Sequence, residues 1–325
     1  MNELIDRFLE ELHAESEQTP ERLAILRALV MRVIELAEFD PDTSDLRIAA
    51  TALSELLKSA ELFAAWRDRP KLTVFGSART APDSVLYEMA RQLSGEMAAR
   101  GWMTVSGAGP GIMEASSKGA GKEWTLGVNI ELPFEHGANE FIDVEQMHVA
   151  MKFFFTRKVA MTRASRAFVA FPGGVGTMDE LFEILTLVHT GKTDPAPIVL
   201  VDEPGGRFWS RWLTFMDESI IAAGYLDSVD KRLFVICHSV AEVVDELEHF
   251  YSNFEAFTKT DKGASLRLRQ VPDPEQLEHL TSDYPMFSSN GGFRVGAEGE
   301  LLFDFDGRDY VSLRRLIDEL NGLTS

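Results

Sequence analysis

The stretch AFVAFPGGVGTMDELFEILT, residues 167–186, decides the fold. Ala167–Phe171 is short, apolar and bounded by Pro172, the signature of a buried strand. Glycines 173, 174 and 176 follow at once, and Thr177–Thr190 then spaces its apolar residues like a helix. Strand, glycine turn and helix form the working half of a βαβ unit. Glycines let a backbone approach a ligand, and the helix start adds free N–H groups and a positive dipole end. A phosphate is the natural guest. Thr177 is placed to cap the helix or to bond a phosphate oxygen. Glu180 and Glu183 share one helix face. A plainer reading stands beside this one, because T-x-x-E is also a capping box.

The same texture extends outward from Lys71 to Phe254. Strands are expected at Leu72–Phe75, Met103–Val105, Leu126–Ile130, Ile198–Val201 and Leu233–Ile236. Helices are expected at Asp83–Arg100, Pro110–Lys122, Met151–Arg163, Phe208–Ala223 and Val240–Phe254. This alternation predicts an α/β fold, a Rossmann-like, doubly wound parallel sheet with helices on both faces. Its ligands sit beyond the carboxyl ends of the strands, where strand order reverses. Two more glycine-rich turns fall at such ends, Gly76-Ser77-Ala78-Arg79 and Ser106-Gly107-Ala108-Gly109-Pro110-Gly111. The latter does not read as a dinucleotide fingerprint. Ile112 occupies the place of the third glycine, and Glu131, two residues before Pro133, is not the usual ribose partner. No loop closes with G-K-[ST] either, so a tight strand-to-helix turn is its plain reading.

Residues 1–69 read as a helical extension. Ala24, Leu26, Leu29, Val30, Val33 and Ile34 fall near helical spacing, as do Ile48, Leu53, Leu56, Leu57, Leu62 and Phe63, with a turn at Asp40-Pro41-Asp42. Such stripes are core or a subunit contact. Residues 70–255 read as the Rossmann-like domain that carries the glycine turns, and 256–325 as a small α+β appendage. In the appendage, Gly291–Val295 and Leu301–Phe305 pair through Gly296–Gly299, and a helix covers Tyr310–Leu320.

The bulk numbers exclude several classes. A net charge of −20 over 325 residues opposes a nucleic-acid partner but leaves room for a small phosphate in a local pocket. Cys237 is the lone cysteine, so neither an intramolecular disulfide nor a thiolate metal cluster can form. The acidic opening MNELIDRFLEELHAESEQ has no apolar signal core, and no eighteen-residue apolar run exists. A cytoplasmic protein without a membrane partner is expected. His136, His148, His189 and His238 show no metal spacing, and neither a metal nor a cofactor is expected.

Four blocks carry a family resemblance: GSARTAPD at 76–83, SGAGPGIMEASSKGA at 106–120, FFFTRKVAM at 153–161 and PGGVGTMDELFEILT at 172–186. Together they resemble the Lonely Guy family of phosphoribohydrolases, once called "lysine decarboxylase-like", over about Lys71–Phe250. The resemblance implies a Rossmann-like homo-oligomer that cleaves nucleoside 5′-monophosphates, AMP or cytokinin nucleotides, to free base and ribose 5-phosphate. It places the catalytic pair on Glu180 and Arg157, and the phosphate loop on Gly173, Gly174, Gly176 and Thr177. Ser77, Gly107, Gly109 and Gly111 fall on the other nucleotide-binding turns, and Met113 with Glu114 beside the sugar. One departure is Ala108, where many members have glycine; its methyl is expected beside the ligand.

The chemistry follows from the bond that breaks. An N-glycosidic bond opens through a sugar cation, which a carboxylate can stabilise while it positions water. Glu180 is expected in that role and Arg157 as the group that holds the nucleotide. Arg157 could instead be a buried partner of a carboxylate behind Phe153–Phe155, Glu114 an exposed helix residue, and Asp179 a solvated neighbour. Decarboxylation would need a Schiff-base lysine, and neither Lys152 nor Lys158 has that context. The alternative to an enzyme is a non-catalytic nucleotide binder or molybdenum-cofactor carrier; a purely structural assembly protein is a third reading.

Overall fold

A computed structural model describes residues 7, 19–39, 41–132, 137–260, 263–289 and 291–324. The acidic opening stretch other than Arg7, Asp40 of the expected turn, Pro133 and His136 lie outside the described residues. The chain divides into two compact units between Leu56 and Leu57. The first holds α1 (Pro20–Glu38), capped by Thr19, and most of α2 (Thr43–Ala64). No side chain of α1 is buried, and Leu29, Val33 and Leu53 are about half exposed. The stripe expected as core or a subunit contact is thus largely exposed in this unit, while Leu62, near the end of α2, is buried.

The second unit is built on a seven-stranded parallel sheet. Its strands are β1 (Lys71–Phe75), β2 (Met103–Ser106), β3 (Thr125–Ile130), β4 (His148–Met151), β5 (Ala167–Ala170), β6 (Ile198–Val201) and β7 (Val235–Cys237), in the order β4-β3-β2-β1-β5-β6-β7. The chain winds outward from β1 to β4, returns to lay β5 along β1, and continues to β7. Leu72 pairs with Thr104 on one side and Ala167 on the other, so the reversal falls between β1 and β5. Wholly apolar or small strands such as Ile198–Val201 are buried on both faces, which demands helices above and below. These are α3 (Val85–Ala99), α4 (Ile112–Ala120), α5 (Phe154–Ala164), α6 (Val175–His189), α7 (Phe208–Phe215) and α8 (Val240–Phe250).

Three expectations need correction. A helix from Met151 overlooked β4, whose alternating burial marks a sheet-edge strand, and α5 starts only at Phe154. The helix expected to reach Ala223 passes at Met216 into a wider π turn. The helix expected to run from Val240 to Phe254 stops at Phe250, and Phe254 already opens a strand.

That strand belongs to a second, antiparallel sheet of β8 (Phe254–Thr260), β9 (Gly263–Leu268), β10 (Arg294–Val295) and β11 (Leu301–Phe303), ordered β10-β11-β9-β8. Helices α9 (Pro274–Asp283) and α10 (Tyr310–Asn321) complete it. Its aromatic core gathers Phe287, Phe303, Phe305 and Tyr310. Asn321 is fully buried and ties the end of α10 to the start of β8: its carboxamide oxygen accepts from Asn253 and Phe254 N–H, and its nitrogen donates to Phe250 O at 2.7 Å.

Candidate active site

Ser77 knots the three glycine turns together. Its N–H donates to Pro172 O at 3.1 Å, its carbonyl accepts from Ile112 N at 3.1 Å, and its hydroxyl accepts from Arg79 N at 3.1 Å. Such close approach requires glycine. At Gly111, with φ +66°, a Cβ would stand 2.3 Å from Ser77 O; at Gly173 a Cβ would stand 2.0 Å from Thr177 Oγ1. Gly174 and Gly176 meet nothing within 4 Å, so their backbones face open space at the start of α6.

That space is a cavity of about 480 Å³ across the carboxyl ends of the sheet. It is within the usual size for small-molecule sites. Ser77, Gly107, Gly109, Met113, Arg157, Gly174, Gly176, Thr177 and Glu180 line it, so most of the residues singled out in the sequence meet there. Gly111 and Gly173 shape its walls from behind. Glu114 is not among the lining residues: its carboxylate accepts from the Tyr87 hydroxyl at 2.7 Å. Burial first, and then that bond, pushes the Tyr87 hydroxyl up to about 12.

Helix α6 begins with Gly174 as its cap, and Thr177 is already inside its first turn. The capping-box reading of Thr177 and Glu180 therefore fails. Thr177 is 5% exposed, and its hydroxyl makes no hydrogen bond among the described residues. Ala108 also differs from expectation. It adopts φ +61°, but its methyl is fully buried in the core with Val105 and Val128 rather than beside a ligand.

Glu180 and Arg157 form a direct ion pair with side chains only 13% and 12% exposed. Burial pushes the Glu180 carboxyl above its ordinary range, and the Arg157 guanidinium, then Lys158, pull against that rise. Arg157 also lies over the Phe154 ring, 5.7 Å from its centre. Behind the pair, Lys158 Nζ sits 2.8 Å from Asp179 and 2.6 Å from Glu183. Burial lowers the Lys158 pKa, but these carboxylates outweigh it and hold the ammonium above its usual range. Asp179, expected to be merely solvated, is half exposed yet paired.

Sequence reasoning passed over three residues. Arg79 lines the cavity with a guanidinium that has no ion pair among the described residues; its place in a glycine turn was the available signal. Asn139 braces the second turn, its amide donating to Ala108 O at 3.1 Å and Gly109 O at 3.2 Å. Asn129 lines the cavity from the end of β3. Among the described residues no group of three or more His, Cys, Asp or Glu side chains could hold a metal ion. No described helix is long and apolar enough to cross a membrane.

A parallel sheet with a glycine-lined crevice at its point of reversal defines a Rossmann-like α/β protein of the nucleotide-binding kind. A model of the family described as "Possible lysine decarboxylase" matches residues 96–247. The cytokinin riboside 5′-monophosphate phosphoribohydrolase of Mycobacterium tuberculosis is 32% identical over 170 residues, spanning 49% of this chain and 83% of that one. An Arabidopsis thaliana enzyme of the same name is 29% identical over 196 residues, 58% of this chain and 85% of its own. The chain belongs to this family, the Lonely Guy phosphoribohydrolases. Among solved structures, the molybdenum cofactor carrier protein of Chlamydomonas reinhardtii overlaps 54% of this chain and 94% of its own at 22% identity, with a TM-score of 0.37.

Proposed function

We propose that this protein hydrolyses the N-glycosidic bond of nucleoside 5′-monophosphates, AMP or a cytokinin nucleotide, releasing free base and ribose 5-phosphate. The observation that carries the reading is the buried Arg157–Glu180 pair in the wall of a cavity that also presents the open backbone of Gly174 and Gly176. The glycine N–H groups, the Thr177 hydroxyl and the start of α6 hold the 5′-phosphate. Arg79 supplies the free positive charge, because Arg157 is engaged with Glu180. Anchoring the phosphate fixes C1′ against Glu180, and such positioning contributes up to about 7–11 kcal/mol in ideal cases. The carboxylate then faces the sugar cation and takes a proton from the water that adds to C1′, while the base leaves with the bonding electron pair and takes up a proton from solvent. Arg157 orients Glu180 and steadies the nucleotide, and Met113 packs beside the sugar.

Lysine decarboxylation does not fit these side chains. Lys158 is held protonated by two carboxylates and is not a free amine for a Schiff base. A pure carrier has no use for a buried Arg157–Glu180 pair in the wall of its cavity. Residues 1–69 and 256–325 are additions to a catalytic domain at 70–255. The protein is a cytoplasmic homo-oligomer; exposed Phe155, Val159 and Phe182 on α5 and α6 offer apolar surface for a second copy. The test mixes purified protein with AMP, GMP, CMP, UMP, isopentenyl-adenosine monophosphate and adenosine, and follows free base and ribose 5-phosphate by chromatography. Nucleotides should react and adenosine far more slowly; no base release from any nucleotide would refute the reading.

A further inference from the structure

The cavity has two chemically different ends. Toward the β1–β5 reversal lie Ser77, Arg79, Gly174, Gly176 and Thr177, all suited to an anion. From β5 across β1 and β2 to β3 the sheet spans three interstrand spacings, roughly 14 Å. At that far end lie Ile130 and Leu132, and the Phe154 ring lines the same cavity beside Arg157. These side chains suit a flat, weakly polar ring.

One polar group interrupts this end. Asn129 is 6% exposed and lines the cavity, yet its carboxamide makes no hydrogen bond among the described residues. A carboxamide with no protein partner that opens only into a cavity is available to whatever ligand the cavity holds. An Asn side chain carries an acceptor oxygen and a donor nitrogen in one plane. Its complement is a base edge with an adjacent donor and acceptor.

We propose that Asn129 is the base-reading residue of this site, accepting from the exocyclic amine of a 6-aminopurine and donating to its N7. This rests on the nucleotide hydrolase reading above and names the base. The N7 contact has a chemical reason. As the C1′–N9 bond breaks, its electron pair moves into the five-membered ring of the base, and an N–H donor at N7 stabilises the charge that develops there. A 6-oxopurine presents two acceptors on the same edge, so the carboxamide oxygen would oppose the carbonyl. An N6-alkylated adenine keeps one N6–H and still pairs.

The test compares AMP, IMP and 7-deaza-AMP as substrates and, by calorimetry, as ligands. Wild-type protein should favour AMP over IMP by about ten- to a hundredfold in kcat/KM, the usual range for one bidentate base contact. It should bind 7-deaza-AMP yet cleave it more slowly. Asn129→Ala and the similarly sized Asn129→Leu should erase the AMP preference and lower kcat, while inhibition by ribose 5-phosphate, which has no base, stays unchanged. Equal use of AMP and IMP by the wild type would overturn the assignment and leave the hydrolase reading standing. So would variants that lose AMP, IMP and ribose 5-phosphate alike, the mark of a structural role. Preferential binding of AMP without cleavage would keep the base assignment and refute the hydrolase; no binding of either would refute both.

Discussion

Arg157 and Glu180 sit on different helices, α5 and α6, and their side chains meet in a wall that is almost closed to solvent. Each neutralises a charge that the other could not bury alone. Breaking such a pair from one side leaves an uncompensated buried ion and costs about 3–5 kcal/mol. Substitutions here must therefore be read for stability and for turnover separately.

Glu180→Gln should keep nucleotide affinity within a few-fold and lower turnover by about 10²–10⁴. Calorimetry with AMP and single-turnover base release measure the two effects. Wild-type turnover in this variant would remove Glu180 from the mechanism.

The acid limb of kcat/KM should lie above the ordinary carboxylate range, because burial raises Glu180 and the ionised form is the working one. Replacing Arg157 with Met removes the charge that opposes the rise, so the limb should move to still higher pH. The linked stability term has the opposite sense. Burying the Glu180 carboxyl favours folding fully below its unfolded pKa, and that contribution is lost as pH rises through the higher folded value. A pH–rate profile of both proteins, with melts at each pH, checks the pair of trends.

Arg79→Gln should raise KM for AMP about tenfold, the worth of one charge-assisted contact, with little change in kcat. Residual activity on adenosine should be unaffected, since it carries no phosphate. Equal losses on both substrates would place Arg79 outside the phosphate site.

The glycines should separate by position. Gly173→Ala forces a Cβ into Thr177 Oγ1, and Gly111→Ala adds positive φ to a clash with Ser77 O. Overpacking of this kind costs about 1–3 kcal/mol, so both should melt several degrees lower and bind phosphate poorly. Gly174→Ala meets no atom and should melt like the wild type.

Asn321→Ala removes the acceptor of two buried N–H groups and the donor to Phe250 O. Each group left without a partner costs about 1–3 kcal/mol. The melting midpoint should fall markedly while KM for AMP holds, because these bonds fasten the second sheet far from the glycine turns.

Much of this was legible because it is local. Strand runs such as Ile198–Val201, the glycine turns and the helix periods declare themselves within a few residues, and the loop order follows from them. What was missed depends on long-range contacts. His148–Met151 is too short and half-buried to register as a strand until β3 lies beside it. The α6 start was misplaced because Thr177 looks like a cap, whereas the chain spends it on the cavity and lets Gly174 open the helix. The ion pair itself cannot be read from two positions 23 residues apart on separate helices. Helix α9 did leave a signal that was overlooked: Asp273, Pro274 and Gln276 form a capping box with proline in the first turn.

The pairing of Leu72 with Ala167 joins segments made far apart in time as the ribosome works. A nascent chain that has emerged only through β4 already carries two of the three glycine turns, yet it has no partner strand on the far side of β1. Contacts of such long sequence separation close slowly. The crevice is thus a late product of synthesis, and truncated chains should hold no nucleotide at all.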